Sequence, residues 1–280
     1  MGGAEAYTHD FLPLFRPVPP TRAGVCRICH SGPNDCGNGE PWPTCVSCKR
    51  TTEDLYGHTE YVVPISLTAK NTQLYDVPVR KKDPNGAAGR RRRPDFLAAT
   101  VTHFFQKHAR CLQGCAGGPF TVVATIPSTR TEQPAEAFDT MTRVVSKVGA
   151  LARLHRPLLL EVVDTYAPVL ANRRSHGDAF RIRGDRLDHQ RVLLVDDLFV
   201  SGAHVQSAAS ALIEKGAAAV VALVVARHIN PASKDPYSAG IWQESCDRPF
   251  SFDHCCLCDP ARGHGVLIRQ SREDIAGDIS

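Results

Sequence analysis

Residues 191–228 read RVLLVDDLFVSGAHVQSAASALIEKGAAAVVALVVARH, and this stretch decides the fold. An apolar run over 192–195 meets two adjacent carboxylates, Asp196 and Asp197, and a short loop with Ser201 and Gly202 follows. Val205, Ala208, Ala209, Leu212 and Ile213 then recur at the spacing of one helix face. Gly216 stands where a left-handed C-terminal cap belongs. Residues 219–226 are continuously apolar and rich in β-branched side chains, as a parallel strand covered on both faces requires. The unit is strand, loop, helix, strand, with an acidic pair at the carboxyl end of its first strand, the edge at which open α/β sheets bind ligands. Loop amides and a helix start there offer a phosphate cradle. No GxGxxG or GxxxxGK accompanies the unit, so the dinucleotide and P-loop fingerprints are missing. Two plainer readings compete: a receiver-type acidic pair, which belongs near the start of a domain rather than this late in a chain, and carboxylates that merely cap the next helix.

Working outward, residues 121–126 read as a strand, 135–154 as a helix and 158–163 as a further strand. Strands alternating with helices predict an α/β fold with a parallel sheet and right-handed crossovers. Residues 60–67 (EYVVPISL) read as a strand broken by Pro64, which argues for an edge position. Leu97, Val101, Phe104, Phe105 and Leu112 lie at helical spacing, which leaves His103 and His108 as ordinary helix positions. Before that helix, Lys81, Lys82 and Arg90 to Arg93 flank a Pro-Gly cluster; a solvated basic loop is the plain reading, and a contact for phosphate-rich partners, nucleic acid or pyrophosphate included, is the sharper one. Five arginines between 164 and 190 (Arg173, Arg174, Arg181, Arg183 and Arg186) suit either a flap over a pyrophosphate or a charged surface loop.

The second strong signal is Cys26-x2-Cys29 followed, fifteen residues later, by Cys45-x2-Cys48. Two such knuckles can bring four thiolates around one tetrahedral Zn²⁺, and four protein ligands leave no open position for catalysis. His30 and Cys36 are available as substitute ligands, and a pair of redox-active dithiols is the competing reading. The chain has eleven cysteines but no recognisable export signal, so metal binding is the better expectation than disulfides, and the location expected is cytoplasmic. Its longest apolar run, residues 217–226, is too short to span a bilayer, so no membrane partner is expected. Cys246, His254, Cys255, Cys256 and Cys258 make a Cys/His-rich tail read as lacking a standard knuckle. Packed thiols are expected there and at Cys111 and Cys115, with a second metal site shared among them as the alternative.

The strand, acidic pair and Ser/Gly loop resemble the signature of type I phosphoribosyltransferases, which use phosphoribosyl pyrophosphate (PRPP). A zinc ribbon ahead of that signature is the layout of the ComF family of zinc-ribbon phosphoribosyltransferase homologues, linked with bacterial competence. The resemblance spans about residues 24–231, and the run Arg227-His228-Ile229-Asn230-Pro231 resembles uncharacterised actinobacterial members most. It implies a type I phosphoribosyltransferase domain preceded by a small zinc ribbon. Residues 1–23 would be an extended lead, 24–55 the ribbon, 56–232 the transferase-like domain and 233–280 an irregular tail. Asp196 and Asp197, the catalytic candidates, would hold the ribose hydroxyls. Val200, Ser201, Gly202, Ala203 and His204 would wrap the 5′-phosphate. Ser128, Thr129 and Arg130, after Pro127, would meet the pyrophosphate. Zn²⁺ would be structural and Mg²⁺ would accompany PRPP. The family loop usually spells Thr-Thr-Gly-x-Thr, so Val200 and His204 replace two of its hydroxyls. The expected partner is PRPP or a nucleotide-like molecule, used either for phosphoribosyl transfer or for non-catalytic sensing; a DNA-handling accessory is the alternative. Nothing in the sequence spells the acceptor.

Overall fold

The computed structural model describes residues 3–32, 40–79, 87–127, 140–233, 235–259 and 263–266. In chain order the helices are α1 (Gly3–His9), α2 (Val46–Thr52), α3 (Gln73–Val79), α4 (Ala87–Cys115), α5 (Thr140–Lys147), α6 (Gly149–Ala152), α7 (Ala167–Ala171), α8 (Ala203–Glu214) and α9 (Pro236–Asp247). The strands are β1 (Tyr61–Thr68), β2 (Val122–Thr125), β3 (Leu160–Val162), β4 (Phe180–Ile182), β5 (Arg191–Phe199), β6 (Ala219–His228), β7 (Cys258–Asp259) and β8 (Gly263–Val266). A four-stranded, all-parallel sheet in the order β1-β6-β5-β2 forms the centre.

The continuous apolar runs are explained by burial on both faces. Val192 and Leu194 of β5, with Val220, Ala222 and Val224 of β6, pack under α8 and the Cys26–Cys48 segment. Leu193 and Val195, with Val221, Leu223 and Val225, pack on the other face under α4 and α5. Each strand alternates between two covered faces, so neither face can be polar. Helix α8 ends as its sequence predicts. Gly216, at φ +105°, follows it, and the amides of Gly216 and Ala217 return to the carbonyls of Ile213 and Leu212, the paired bonds of a Schellman cap. Strand β1 lies at the sheet edge with Pro64 in it, as expected, although the strand runs on unbroken.

Several expectations need correction. Strand 158–163 does not join the parallel sheet: β3 pairs antiparallel with β4 as a separate ribbon. Glu161 at its centre pairs with Arg183 on the exposed face, and a strand buried on both faces could not carry it. The same arrangement makes the Arg-rich segment a folded surface element. It packs on α8, where the amide of His176 donates to Ser207 Oγ at 2.9 Å. Within the described part of the helix expected over 135–154, Val148 is extended (φ −91°, ψ 93°) and divides α5 from α6.

The lead is not extended. Helix α1 lies on α4, and Phe15 is buried among Phe96, Phe250 and Phe252. The apolar patch Phe11-Leu12-Pro13-Leu14-Phe15 drives this by burying its rings. Nor is the described tail irregular: Asp235 accepts from the amide of Ser238 at 2.6 Å and caps α9, with Pro236 in its first turn. The arginine run 90–93 lies on α4 rather than on a loop. Among the described residues no helix is long and apolar enough to cross a membrane.

Candidate ligand site and metal clusters

Asp196 and Asp197 sit three and two residues before the end of β5, which continues to Phe199 alongside β6. The amide of Asp197 donates to Asp196 Oδ1 at 2.9 Å. Burial, with the charge of Asp197 next, pushes the pKa of Asp196 well above the usual carboxylate range. Across from the pair, Arg93 Nη2 donates to Asp197 Oδ2 at 3.0 Å, with both side chains mostly covered. Burial depresses the pKa of this guanidinium, and Asp197 works against that. A desolvated cation beside two carboxylates is an arrangement for a ligand carrying both hydroxyls and negative charge.

The loop after the strand is tightly determined. Gly202 takes φ +95° at the N-terminus of α8, and its carbonyl accepts from the amide of Gln206 at 2.8 Å. The amide of Ala203 donates to Ser201 Oγ at 3.3 Å, which engages the one hydroxyl left in the loop. A Cβ on Gly202 would stand 2.7 Å from Phe199 Cζ and 3.2 Å from Thr51 Oγ1. Left-handed backbone and close approach together demand glycine. Gly202→Ala is therefore expected to cost about 1–3 kcal/mol, read as a lowered urea midpoint. An unchanged midpoint would contradict the geometry. His204 is half-buried in the first turn of α8.

Behind this loop lies the first cysteine cluster. The Sγ atoms of Cys26, Cys29, Cys45 and Cys48 all lie within 4.8 Å of one another, and all four residues are fully buried. The Cys29–Cys45 separation is 3.8 Å. Tetrahedral Zn²⁺ with bonds near 2.3 Å places its sulfurs about 3.8 Å apart, so the residues present fit the ion. Each knuckle is a tight turn: the amide of His30, at φ +58°, donates to the carbonyl of Cys26, and the amide of Cys48 to Cys45 Sγ. Burial opposes a thiolate at Cys29, yet hydrogen bonding with the other three cysteines and the charge of Arg227 bring its pKa well below the ordinary thiol value.

Arg227, 3% exposed at the end of β6, connects this cluster to the loop. Its Nη1 donates to the carbonyls of Phe199 (3.3 Å), Val200 (2.7 Å) and His228, and its guanidinium lies 4.9 Å above the Phe199 ring. Burial works against its charge, and the thiolates of Cys29, Cys45 and Cys48 more than offset this. Thr51 of α2 braces the loop from the same side. Beside it, burial and then the charges of Arg227 and Arg173 lower the pKa of His228 to about 4, so its ring is neutral at physiological pH.

The structure thus gathers Asp196, Asp197, Val200, Ser201, Gly202, Ala203 and His204 at one sheet edge, with the four ribbon cysteines directly behind them. Ser128, Thr129 and Arg130, like Cys36, lie outside the described residues. The sequence reading singled out Arg93 as part of a basic run but not its pairing with Asp197, and it gave no site role to Arg227 or Thr51; the legible signal for Arg227 was a cation directly after the apolar run 217–226. Among the described residues the clusters of metal-ligand type are the ribbon's four cysteines and a second group, His108, Cys111, Cys255 and Cys258. No carboxylate cluster for Mg²⁺ is among them. A cleft of about 480 Å³ between Pro17–Pro20 and residues 248–258 has none of residues 196–204 in its wall. No protein-family model matches the chain, and no curated protein matches it.

Proposed function

We propose that this chain is a phosphoribosyltransferase-type protein of the zinc-ribbon (ComF-like) kind, binding PRPP or a related ribose 5-phosphate at the carboxyl edge of β5. The observation that carries the reading is the sequence of groups along one strand end: Asp196 and Asp197, then left-handed Gly202, then the N-terminus of α8. Carboxylates suit a vicinal diol, and the helix start suits a phosphate. Asp196 and Asp197 orient the ribose, and residues 200–204 fix the 5′-phosphate. Arg93, which pairs with Asp197 at this edge, supplies the cation for the pyrophosphate. Transfer at C1 passes through an oxocarbenium-like transition state, for which this positioning is the protein's main contribution. Mg²⁺ would arrive with PRPP and neutralise the departing pyrophosphate. The four ribbon cysteines hold a structural Zn²⁺ that shapes the loop.

Asp197→Asn is expected to weaken ribose 5-phosphate binding about 10–100-fold, the worth of a charged hydrogen bond or two, in a variant that stays folded but loses about 1–3 kcal/mol of stability with the charge partner of Arg93. Equal affinity of variant and parent would remove the ribose role. A second reading, a non-catalytic PRPP or nucleotide sensor, draws on the loop itself: two hydroxyls are replaced by Val200 and His204, and the third is engaged by the amide of Ala203. Pyrophosphate release across a panel of base and amine acceptors separates the two, because a sensor binds and releases none. The DNA-handling alternative draws on the arginine run 90–93 of α4, and salt-dependent retention on single-stranded DNA would support it.

A further inference from the structure

We propose that His108, Cys111, Cys255 and Cys258 form a second, closed zinc site that fastens the C-terminal segment to the kink in α4. Their ligand atoms all lie within 4.8 Å of one another, although 144 residues separate the helix from the segment in sequence at the point where His108 and Phe252 meet. Cys255 Sγ is 3.5 Å from Cys258 Sγ, and His108 Nδ1 is 3.7 Å from Cys258 Sγ and 3.9 Å from Cys111 Sγ. Around a tetrahedral Zn²⁺ the expected spacings are about 3.8 Å for sulfur pairs and about 3.6 Å for sulfur to nitrogen. The four groups converge on a point the size of the ion.

Three independent features around the cluster favour a ligand set over packed thiols. First, His108 Nε2 lies 2.8 Å from the carbonyl of Phe252. That nitrogen must carry the proton, which turns the lone pair of Nδ1 toward the sulfurs, the arrangement that orients metal-bound histidines. Second, α4 departs from helical backbone at His108 alone (φ −122°, ψ 15°), on the face it shares with Cys111 three residues on. Third, Cys255 and Cys258 are a Cys-x2-Cys knuckle. The amide of Cys258 donates to the carbonyl of Cys255 at 3.0 Å, and the amide of Cys255 to Cys258 Sγ at 3.4 Å. An amide-to-sulfur bond of the same length spans Cys48 and Cys45 in the first cluster.

The expectation of packed thiols in the tail is thereby divided. Cys256, interposed in the knuckle, is buried in the apolar core beside Phe252, and Cys115 packs at the edge of that core. Cys111, Cys255 and Cys258 face the imidazole instead. Three thiolates and one imidazole suit Zn²⁺ best among common divalent ions, and four protein ligands leave no position for substrate. The Lys107–Asp253 pair (2.9 Å) and the Phe15, Phe250 and Phe252 rings hold the same segment in place around the cluster.

Metal analysis of the full-length protein purified under reducing conditions is the test. Two zinc ions per chain are expected, falling to one in the Cys255→Ser, Cys258→Ser double variant. Cobalt(II) reconstitution of the parent gives a readout that needs no variant: two equivalents, with visible bands of two kinds, one for four thiolates and one for three thiolates and a nitrogen. His108→Cys should keep both equivalents and merge the bands into the four-thiolate kind. One metal per chain in the parent, lost on Cys29→Ser, would overturn the proposal. So would two metals that survive the double variant, or a Cys255–Cys258 disulfide in the reduced preparation.

Discussion

Withdrawing metal from the Cys26, Cys29, Cys45 and Cys48 cluster, by Cys29→Ser, is expected to unfold the segment around the four cysteines and to destabilise the whole chain by at least several kcal/mol. The segment has little apolar core of its own; its cysteines and Ile28 belong to the cluster that covers one face of the sheet. Four fully buried thiols without metal leave either costly thiolates or unsatisfied sulfurs against that face. Structural zinc contributes roughly 10–16 kcal/mol of apparent binding energy in small zinc-finger peptides, which is also their folding energy. Thermal unfolding of the Cys29→Ser variant against the parent measures the effect. Because Thr51 rests on Gly202, affinity for a ribose 5-phosphate ligand should fall with it. A demetallated protein with an unshifted midpoint would show that the ribbon is packed by its side chains alone.

Arg227→Met should cost about 3–5 kcal/mol, the penalty for removing one partner from a buried charge pair. Methionine fills much of the aliphatic volume, so the loss reports the charge and its hydrogen bonds rather than a cavity. Three carbonyls lose their donor and the thiolates of Cys29, Cys45 and Cys48 lose their nearest buried cation. The same substitution frees the Phe199–Val200 turn, so the variant should also bind ligand more weakly after its stability loss is allowed for. Chemical unfolding at matched zinc content measures the first effect. A cost below about 1 kcal/mol would mean that zinc alone balances the thiolates.

The core of the fold was legible because its signals are local. Residues 191–228 combine two continuous apolar runs, a left-handed glycine and a helix face within one supersecondary unit, and the structure reproduces each. Cysteine spacing likewise marked the first metal cluster, since both knuckles lie within 23 residues and the sequence itself states their geometry. What the sequence hid depends on contacts across long separations. Arg93 reaches Asp197 over 104 residues, and His108 reaches Cys258 over 150. Strand 158–163 misled because Leu160 and Val162 suit either sheet, while Glu161 alone marks the exposed one. Cys255-x2-Cys258 was obscured by Cys256 between its members. The fate of Ser128, Thr129 and Arg130, expected at the pyrophosphate, lies outside the described residues.

The central claim is that the edge at Asp196 and Asp197 takes a phosphorylated ribose. Calorimetric titration of zinc-loaded protein with PRPP and Mg²⁺, against the Asp196→Ala, Asp197→Ala double variant, tests it most directly. Saturable heat in the parent that vanishes in the folded variant is the result predicted here. No heat in either protein, or the same affinity in both, would contradict the claim and leave the site without its proposed ligand.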